Sequence, residues 1–181
     1  EVPAYTFEDF WSLKPKWTHW FYHIASFLIA PLSVCLFRNA KTIPVYRDNR
    51  LITTFKLTIS ALEDSTNVII FPECYTPYNN IVYQFQDKYI DVAKLYYKRT
   101  GKAVDFVPLY VAPNLKKIYI GKPTVFDPNA PIDQERQRIT NYLMESITQI
   151  AVNLPQHTVV PYPNVGTKHY PKNRPEEVIE K

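Results

Sequence analysis

The chain has 181 residues, a net charge of +4 and a hydrophobic content of 46%, which are typical of a folded domain rather than a disordered chain. It has 3 glycines against 16 prolines and 14 tyrosines, and no dinucleotide-binding or P-loop glycine motif, which excludes glycine-rich phosphate loops. Because its mild basic charge includes no dense lysine or arginine run, no nucleic-acid partner is expected.

The two cysteines, Cys35 and Cys74, lie in apolar stretches and lack the spacing of a zinc site. We therefore expect two reduced thiols, no metal site and a cytoplasmic location. The single methionine is Met144, so we expect the natural N-terminus to lie upstream of Glu1.

Residues 1–38 form an aromatic N-terminal segment that ends in an apolar stretch. Residues 18–37 are almost free of charge and long enough to span a bilayer. Trp17, Trp20 and Tyr22 near its start are typical of a membrane-interface anchor. We predict a helix with a membrane-facing apolar surface, at the inner face of the membrane; a buried core helix is the alternative. No small-residue cleavage site follows, so a signal peptide is not expected.

From residue 43 onward the pattern alternates between strands and helices. Helices are predicted at 49–64, at 87–100 with Gly101 as the C-cap, and from Pro131 onward. Strands are predicted at 42–46, 67–71, 103–112 and 117–126. We predict an α/β domain over 43–153, with a largely parallel mixed sheet covered by helices, and a Pro-rich, extended tail over 154–181.

Two charged residues follow predicted strands. Arg47 comes after the stretch that begins at Ile43, and Glu73 comes after Phe71 and Pro72. Ligands of α/β sheets bind beyond the carboxyl ends of strands, where arginine suits a phosphate and a carboxylate suits a hydroxyl. The alternative for Glu73 is an ordinary carboxylate that caps a loop.

The ordered motifs Ile43–Arg47, Phe71–Glu73 and Phe106–Tyr110 resemble those of the glycerolipid acyltransferases, the lysophosphatidic acid acyltransferase family, over about residues 43–151. The resemblance implies transfer of an acyl group from a coenzyme A or acyl carrier protein thioester to an acceptor hydroxyl, with no bound cofactor. The acceptor would be a lysophospholipid- or glycerol-phosphate-like molecule.

The resemblance also implies roles for individual residues. Arg47 would bind the acceptor phosphate and Glu73 its hydroxyl groups. The chain departs from the family pattern next to Glu73, because Cys74 replaces the usual glycine and Tyr75 the usual threonine. Tyr75 or Thr76 would then offer the hydroxyl.

The catalytic residues are unknown because the family's His-x-x-x-x-Asp block is not found. In the family, its histidine is the general base and precedes the arginine motif. None of the four histidines here has an aspartate at the required position; they are His19, His23, His157 and His169. We expect the first two to be interfacial or core residues and the last two to lie on the surface.

Only five residues separate Phe37 from Ile43, too few for the strand, block and helix found there in the family. This order predicts either a break in the chain between these two residues or a variant without the base. The function predicted from the resemblance is glycerolipid O-acyltransferase. The alternative is a non-catalytic, membrane-associated lipid-binding module, and a third idea makes Cys74 the nucleophile of a thioester hydrolase.

Overall fold

A computed structural model describes residues 15–46 and 50–174 and shows a mixed fold of helices and short antiparallel strands. The helices of the described residues are α1 (His19–Asn39), α2 (Leu51–Glu63), α3 (Asp91–Thr100) and α4 (Ile132–Val152). The strands of the same residues are β1 (Glu73–Pro77), β2 (Tyr83–Phe85), β3 (Asp105–Phe106), β4 (Leu109–Ala112), β5 (Lys117–Ile120) and β6 (Thr124–Val125).

The chain divides into two compact units. One contains the described residues up to Thr54 together with Asn164–Gly166, and the other contains Phe55–Pro163 and the described residues from Thr167 onward. The boundaries predicted from the sequence, at residues 38, 43 and 153, stay predictions.

Helix α1 confirms the predicted apolar helix at the N-terminal side of the chain. It is long and apolar enough to cross a membrane by length and composition. Its large apolar side chains are mostly exposed, among them Phe27 at 69% and Leu28 at 74%. Pro31 lies inside the helix, where it removes one backbone donor.

The chain is continuous after α1, so the predicted break is wrong. Backbone N–H groups of Ala40 and Thr42 donate to the carbonyl oxygens of Leu36 and Phe37, at 2.8 and 3.3 Å. Residues 42–46 then run without strand pairing, although the sequence predicted a strand there. The buried hydroxyl of Thr54 holds them to α2, because it donates to the Pro44 oxygen at 2.7 Å.

The predicted, largely parallel sheet is also wrong. In the described residues, β1–β2, β3–β6 and β4–β5 form three separate antiparallel pairs. Residues 67–71 belong to no strand, and Phe71 is 82% exposed. The long predicted strands 103–112 and 117–126 each divide into two short ones, since Pro108 and Pro123 cannot donate to a ladder.

The helix predictions are confirmed for α2, α3 and α4. Gly101 ends α3 with φ +70°, the left-handed conformation that glycine adopts without strain. Pro131 is the residue immediately before α4 rather than its first turn. Helix α4 contributes to two buried clusters. In the first, Ile139 and Leu143 of α4 pack with Ile90 and Phe126, and in the second, Ala151 of α4 packs with Tyr110 and Ala112.

Candidate functional site

Glu73 begins β1 and closes the β1–β2 hairpin through its side chain. Its Oε1 accepts a hydrogen bond from the backbone N–H of Tyr83 at 3.0 Å. The register of the hairpin shifts between the pairs Glu73–Phe85 and Pro77–Tyr83, as it does at a β-bulge. A bulge disrupts the backbone ladder, and here the carboxylate supplies the acceptor for the Tyr83 N–H. The hydrogen bond that Glu73 accepts from Tyr83 therefore stabilises the hairpin, independently of any ligand that Glu73 binds.

The electrostatic state of Glu73 follows from its half-buried position. Burial raises the pKa of its carboxyl above the ordinary value, because a charged carboxylate loses hydration there. The hydrogen bond from Tyr83 lowers the pKa and offsets part of this rise. The result is a carboxylate that stays close to the surface yet is less well hydrated than an exposed one.

Three tyrosines form an aromatic cluster on the same hairpin and the tail. The ring of Tyr162 lies 5.2 Å from that of Tyr75, in an edge-to-face arrangement, and 6.1 Å from that of Tyr83. Tyr75 is highly exposed, and Thr76 next to it is also exposed. Both residues are therefore exposed and lie within three positions of Glu73 along the chain. The sequence did not indicate the contribution of Tyr162.

Arg47, the predicted phosphate ligand, lies outside the described residues. Its neighbourhood is partly described, since the guanidinium of Arg50 lies 4.5 Å from the ring centre of Tyr46. The predicted meeting of Arg47 and Glu73 in one cleft stays a prediction.

His157 was predicted to lie on the surface, and this is wrong: it is only 4% exposed. Its Nε2 lies 2.6 Å from the hydroxyl of Tyr110, and its Nδ1 lies 2.8 Å from the carbonyl oxygen of Pro155. A carbonyl oxygen only accepts, so Nδ1 carries the hydrogen, and in the neutral imidazole Nε2 then accepts from the Tyr110 hydroxyl. His169 is exposed, as expected.

Asn173 completes this buried network. Its Oδ1 accepts from the backbone N–H of His157 at 2.8 Å, and its Nδ2 donates to the oxygen of Ala151 at 2.7 Å. Ala151 lies in the last turn of α4, where carbonyl groups lack helical partners. The network therefore fixes the tail to α4, and it leaves His157 unsuited to act as an accessible general base.

A shallow, mostly apolar groove lies elsewhere, between α4 and the end of β5. It is lined by Gly121, Lys122, Tyr142, Glu145, Ser146, Gln149 and Ile150. None of the predicted site residues lines it, so it gives no support to the roles predicted for Glu73, Tyr75 and Thr76.

The thiols of Cys35 and Cys74 are both free, which confirms the expectation of two unpaired cysteines. Comparison with protein-family models, with curated proteins and with solved structures gives no match to this chain. The resemblance to the glycerolipid acyltransferases therefore depends on the three ordered motifs and stays a prediction.

Proposed function

We propose that this protein is a membrane-associated lipid-binding module. The observation that carries the proposal is the exposed apolar surface of α1. Its 21 residues extend about 32 Å at about 1.5 Å per residue, close to the roughly 30 Å apolar thickness of a bilayer. Side chains such as Phe27, Leu28 and Leu32 are costly to leave in water and gain free energy from contact with lipid.

The two ends of α1 support the same proposal. Trp17 and Trp20 are exposed at its start, beside Lys16, and such amphipathic rings favour the membrane–water boundary. Arg38 and Lys41 at the other end are suited to contact with lipid phosphates. The free thiols fit a reducing compartment, and we place the protein at the cytoplasmic face of a membrane.

The bound molecule in this proposal is a lysophospholipid- or glycerol-phosphate-like compound. Arg47 holds its phosphate, and Glu73 with the hydroxyls of Tyr75 and Thr76 binds its hydroxyl groups. The sequence motifs support this assignment, together with the half-buried carboxylate of Glu73 and the exposure of Tyr75 and Thr76. Half-burial weakens the competition of water for the carboxylate, and exposure leaves the hydroxyls open to a ligand.

The second candidate is a glycerolipid O-acyltransferase that uses the same acceptor site. The order of the three motifs favours it. In this reaction the acceptor hydroxyl loses its proton to a base and attacks the thioester carbon, and the thiolate of coenzyme A or of acyl carrier protein leaves. The continuous chain between α1 and Ile43 contains no base with the family's spacing, so we give this candidate second place.

Flotation with phospholipid vesicles tests the membrane proposal. The variant Phe27→Gln/Leu28→Gln/Leu32→Gln should float at least about tenfold less than the wild type, because it removes apolar contacts along α1. The control Ile52→Gln/Ile69→Gln/Val160→Gln changes three exposed apolar side chains elsewhere and should float normally. Equal flotation of both variants, or no flotation of the wild type, would contradict the proposal.

Acyl transfer is tested separately. The protein is incubated with radiolabelled acyl-coenzyme A and lysophosphatidic acid, and the lipid products are separated. Binding of lysophosphatidic acid without product supports the non-catalytic module. Product formation that Arg47→Ala abolishes would instead establish the acyltransferase.

A further inference from the structure

The ring of His157 is buried, and both of its nitrogen atoms already have partners. Its exposed fraction is 4%, its Nδ1 donates to the Pro155 oxygen at 2.8 Å, and its Nε2 accepts from the Tyr110 hydroxyl, whose oxygen lies 2.6 Å away. These bonds require the neutral ring, because an acceptor nitrogen carries no hydrogen. The docked tail is therefore built around an uncharged imidazole.

A second ring hydrogen would disturb this arrangement. On a charged imidazolium both nitrogens donate, so the Tyr110 hydroxyl would have to accept and turn its own hydrogen away. Tyr110 is 6% exposed and lies in a cluster with Ala112 and Ala151. Protonation of His157 would therefore leave a charge and a hydroxyl hydrogen in a buried, largely apolar position, and each costs free energy.

The charged groups around the ring do not offset this cost. In the described residues no carboxylate bonds to His157, and the nearest one along α4 from Ala151 is Glu145, which lines the groove beside Lys122. The other titratable side chains on the surrounding elements are neutral or cationic: Tyr110 on β4, Lys117 and Tyr119 on β5, and Lys172 and Arg174 on either side of Asn173. A positive charge on His157 therefore has cations rather than an anion on the neighbouring elements.

The same segment of the tail joins this buried anchor to the candidate site. The His157 oxygen accepts from the backbone N–H of Asn173 at 3.1 Å. Five residues after His157, the ring of Tyr162 lies 5.2 Å from that of Tyr75 and 6.1 Å from that of Tyr83. Release of His157 from the core would therefore remove the support of Tyr162.

We propose that residues 157–163 form a strap that protonation of His157 releases from the core and from the β1–β2 hairpin. At neutral pH the strap holds Tyr162 against Tyr75. In mild acid it detaches and uncovers the hairpin that carries Glu73 and Tyr75. The release depends only on these contacts, whereas its role in regulating a lipid site rests on the proposed function.

Hydrogen exchange of single amides tests the release, followed by NMR on the full chain in micelles of a nonionic detergent. The N–H groups of Val159 and Asn173 report on the strap, because both donate to carbonyl oxygens within the tail, at 2.9 and 3.1 Å. The N–H of Gly101, which donates to the Tyr97 oxygen, is the control outside the tail. Protection factors are compared at pH 7.5 and pH 5, after correction for the intrinsic effect of pH on exchange.

The size of the effect follows from the titration of a free histidine. An imidazole in water gains a proton at about pH 6.5, so the released strap binds a proton at pH 5 while the docked ring stays neutral. The protection of Val159 and Asn173 should therefore fall by about thirtyfold from pH 7.5 to pH 5, and that of Gly101 should stay the same. Glu73 does not cause such a fall, because burial raises its pKa and its contribution to stability grows in acid.

Variants assign the effect to one side chain. His157→Gln has no titratable group, and its amide oxygen can still accept from Tyr110, so its protection should change by less than about twofold. His169→Gln, at the exposed histidine of the same tail, should keep the full decrease. Tyr162→Ala should lower the protection of Val159 by the same factor at both pH values, because it removes the ring contacts and leaves the imidazole in place.

The ring signals of the wild type keep the test decisive if His157→Gln does not dock at pH 7.5. The His157 signals should stay those of a neutral imidazole down to pH 5, while those of His169 titrate. Titration of both rings in a docked tail would overturn the inference, as would equal protection of the wild type at both pH values. An undiminished decrease in His157→Gln, or unchanged protection of Val159 in Tyr162→Ala, would overturn it too. No lipid is present, so these outcomes leave the proposed function untouched.

Discussion

The carboxylate of Glu73 accepts a hydrogen bond within the β1–β2 hairpin, in addition to any contact with a ligand. It accepts the N–H of Tyr83 while half-buried, and burial raises its pKa. A carboxyl group whose pKa is higher in the folded state binds its proton more tightly there. The contribution of Glu73 to the stability of the protein therefore falls as the pH rises from the pKa of Glu73 in the unfolded state to its pKa in the folded state. Above the folded-state pKa this contribution is constant.

Glu73→Gln and Glu73→Ala separate the charge of this side chain from its hydrogen bond. The glutamine oxygen still accepts from Tyr83, so Glu73→Gln should match or exceed the wild-type stability at pH 7, with a smaller difference near pH 4. Glu73→Ala leaves the N–H without this acceptor and should lose about 1 kcal/mol. Thermal unfolding between pH 4 and pH 7 measures both effects.

Ligand binding by the same two variants decides the second role of Glu73. If Glu73 binds the acceptor as an anion, both variants lose affinity for lysophosphatidic acid although only Glu73→Ala loses stability. If Glu73→Gln binds as tightly as the wild type, the charge of Glu73 has no part in recognition.

Gly121 is the position where a single methyl group should matter most. A β-carbon there would lie 2.6 Å from the Pro108 ring and 3.1 Å from Ile150. Gly121→Ala should therefore destabilise the protein by about 1–3 kcal/mol through overpacking. Gly101→Ala provides the comparison, since that site has open space but φ +70°, and left-handed backbone strain alone costs about 1–2 kcal/mol. Urea unfolding gives both values, and an unchanged midpoint for Gly121→Ala would contradict the close contact.

At the level of elements, the tail is fixed to α4 by the network of Tyr110, His157 and Asn173. Removing the Asn173 amide leaves the buried backbone N–H of His157 without its acceptor. It also removes one of the donors to the Ala151 oxygen, which keeps the N–H of Leu154. Asn173→Ala should cost about 1–3 kcal/mol and should expose residues 154–174 to protease. Limited proteolysis with mass spectrometry would locate the cleavage. Lys172→Ala, which removes only an exposed bond to Thr158, is the control.

Alkaline pH should weaken the same network. Burial raises the pKa of Tyr110 above its ordinary value, and only the protonated hydroxyl donates to His157. Because the folded state holds this proton more tightly, stability declines as pH rises above about 10. Tyr110→Phe should be less stable at pH 8 and should show less of this decline. A decline as large as that of the wild type would assign the effect to another group.

Helices were predictable from the sequence, and strand pairing was not. The helices are indicated by the spacing of apolar residues in α2 and α4 and by the position of Gly101. These signals are local, because each depends only on residues close together in the sequence. A run such as residues 67–71 shows only that a segment is apolar. Which strand it would pair with depends on distant parts of the chain, and in the structure it pairs with none of the described strands. His157 was missed for a similar reason, since its partners Tyr110 and Asn173 lie 47 and 16 residues away.

For the molecule as a whole, the exposed apolar surface of α1 and of the β4–β5 hairpin should govern its behaviour in solution. Contiguous apolar patches of this kind promote association in water. The protein should sediment as a mixture of oligomers without detergent and as one small species above the critical micelle concentration. Phe27→Gln/Leu28→Gln/Leu32→Gln should reduce the oligomers in water. A monomer without detergent would contradict this expectation.

The candidate site was predictable only in part. The sequence singled out Glu73 through its place after Phe71 and Pro72, and Tyr75 and Thr76 through the motif. The bond from Tyr83 and the ring of Tyr162 could not be foreseen, because a hairpin bulge and a returning tail bring them to Glu73 and Tyr75. Neither feature has a local sequence signal.

The tail network also has a consequence for the order of folding. The turn of the β4–β5 hairpin joins residues close in sequence, as in the pair Ala112 and Lys117, and isolated hairpins close in about 1–10 μs. The bond between Tyr110 and His157 closes a much longer loop, which costs more chain entropy and forms later. Residues 154–174 also leave the ribosome after the rest of the described chain. Until they dock, the Ala151 oxygen lacks the Asn173 amide, so the nascent protein passes through a state in which its hairpins are formed and the end of α4 is held only by the backbone N–H groups of Asn153 and Leu154.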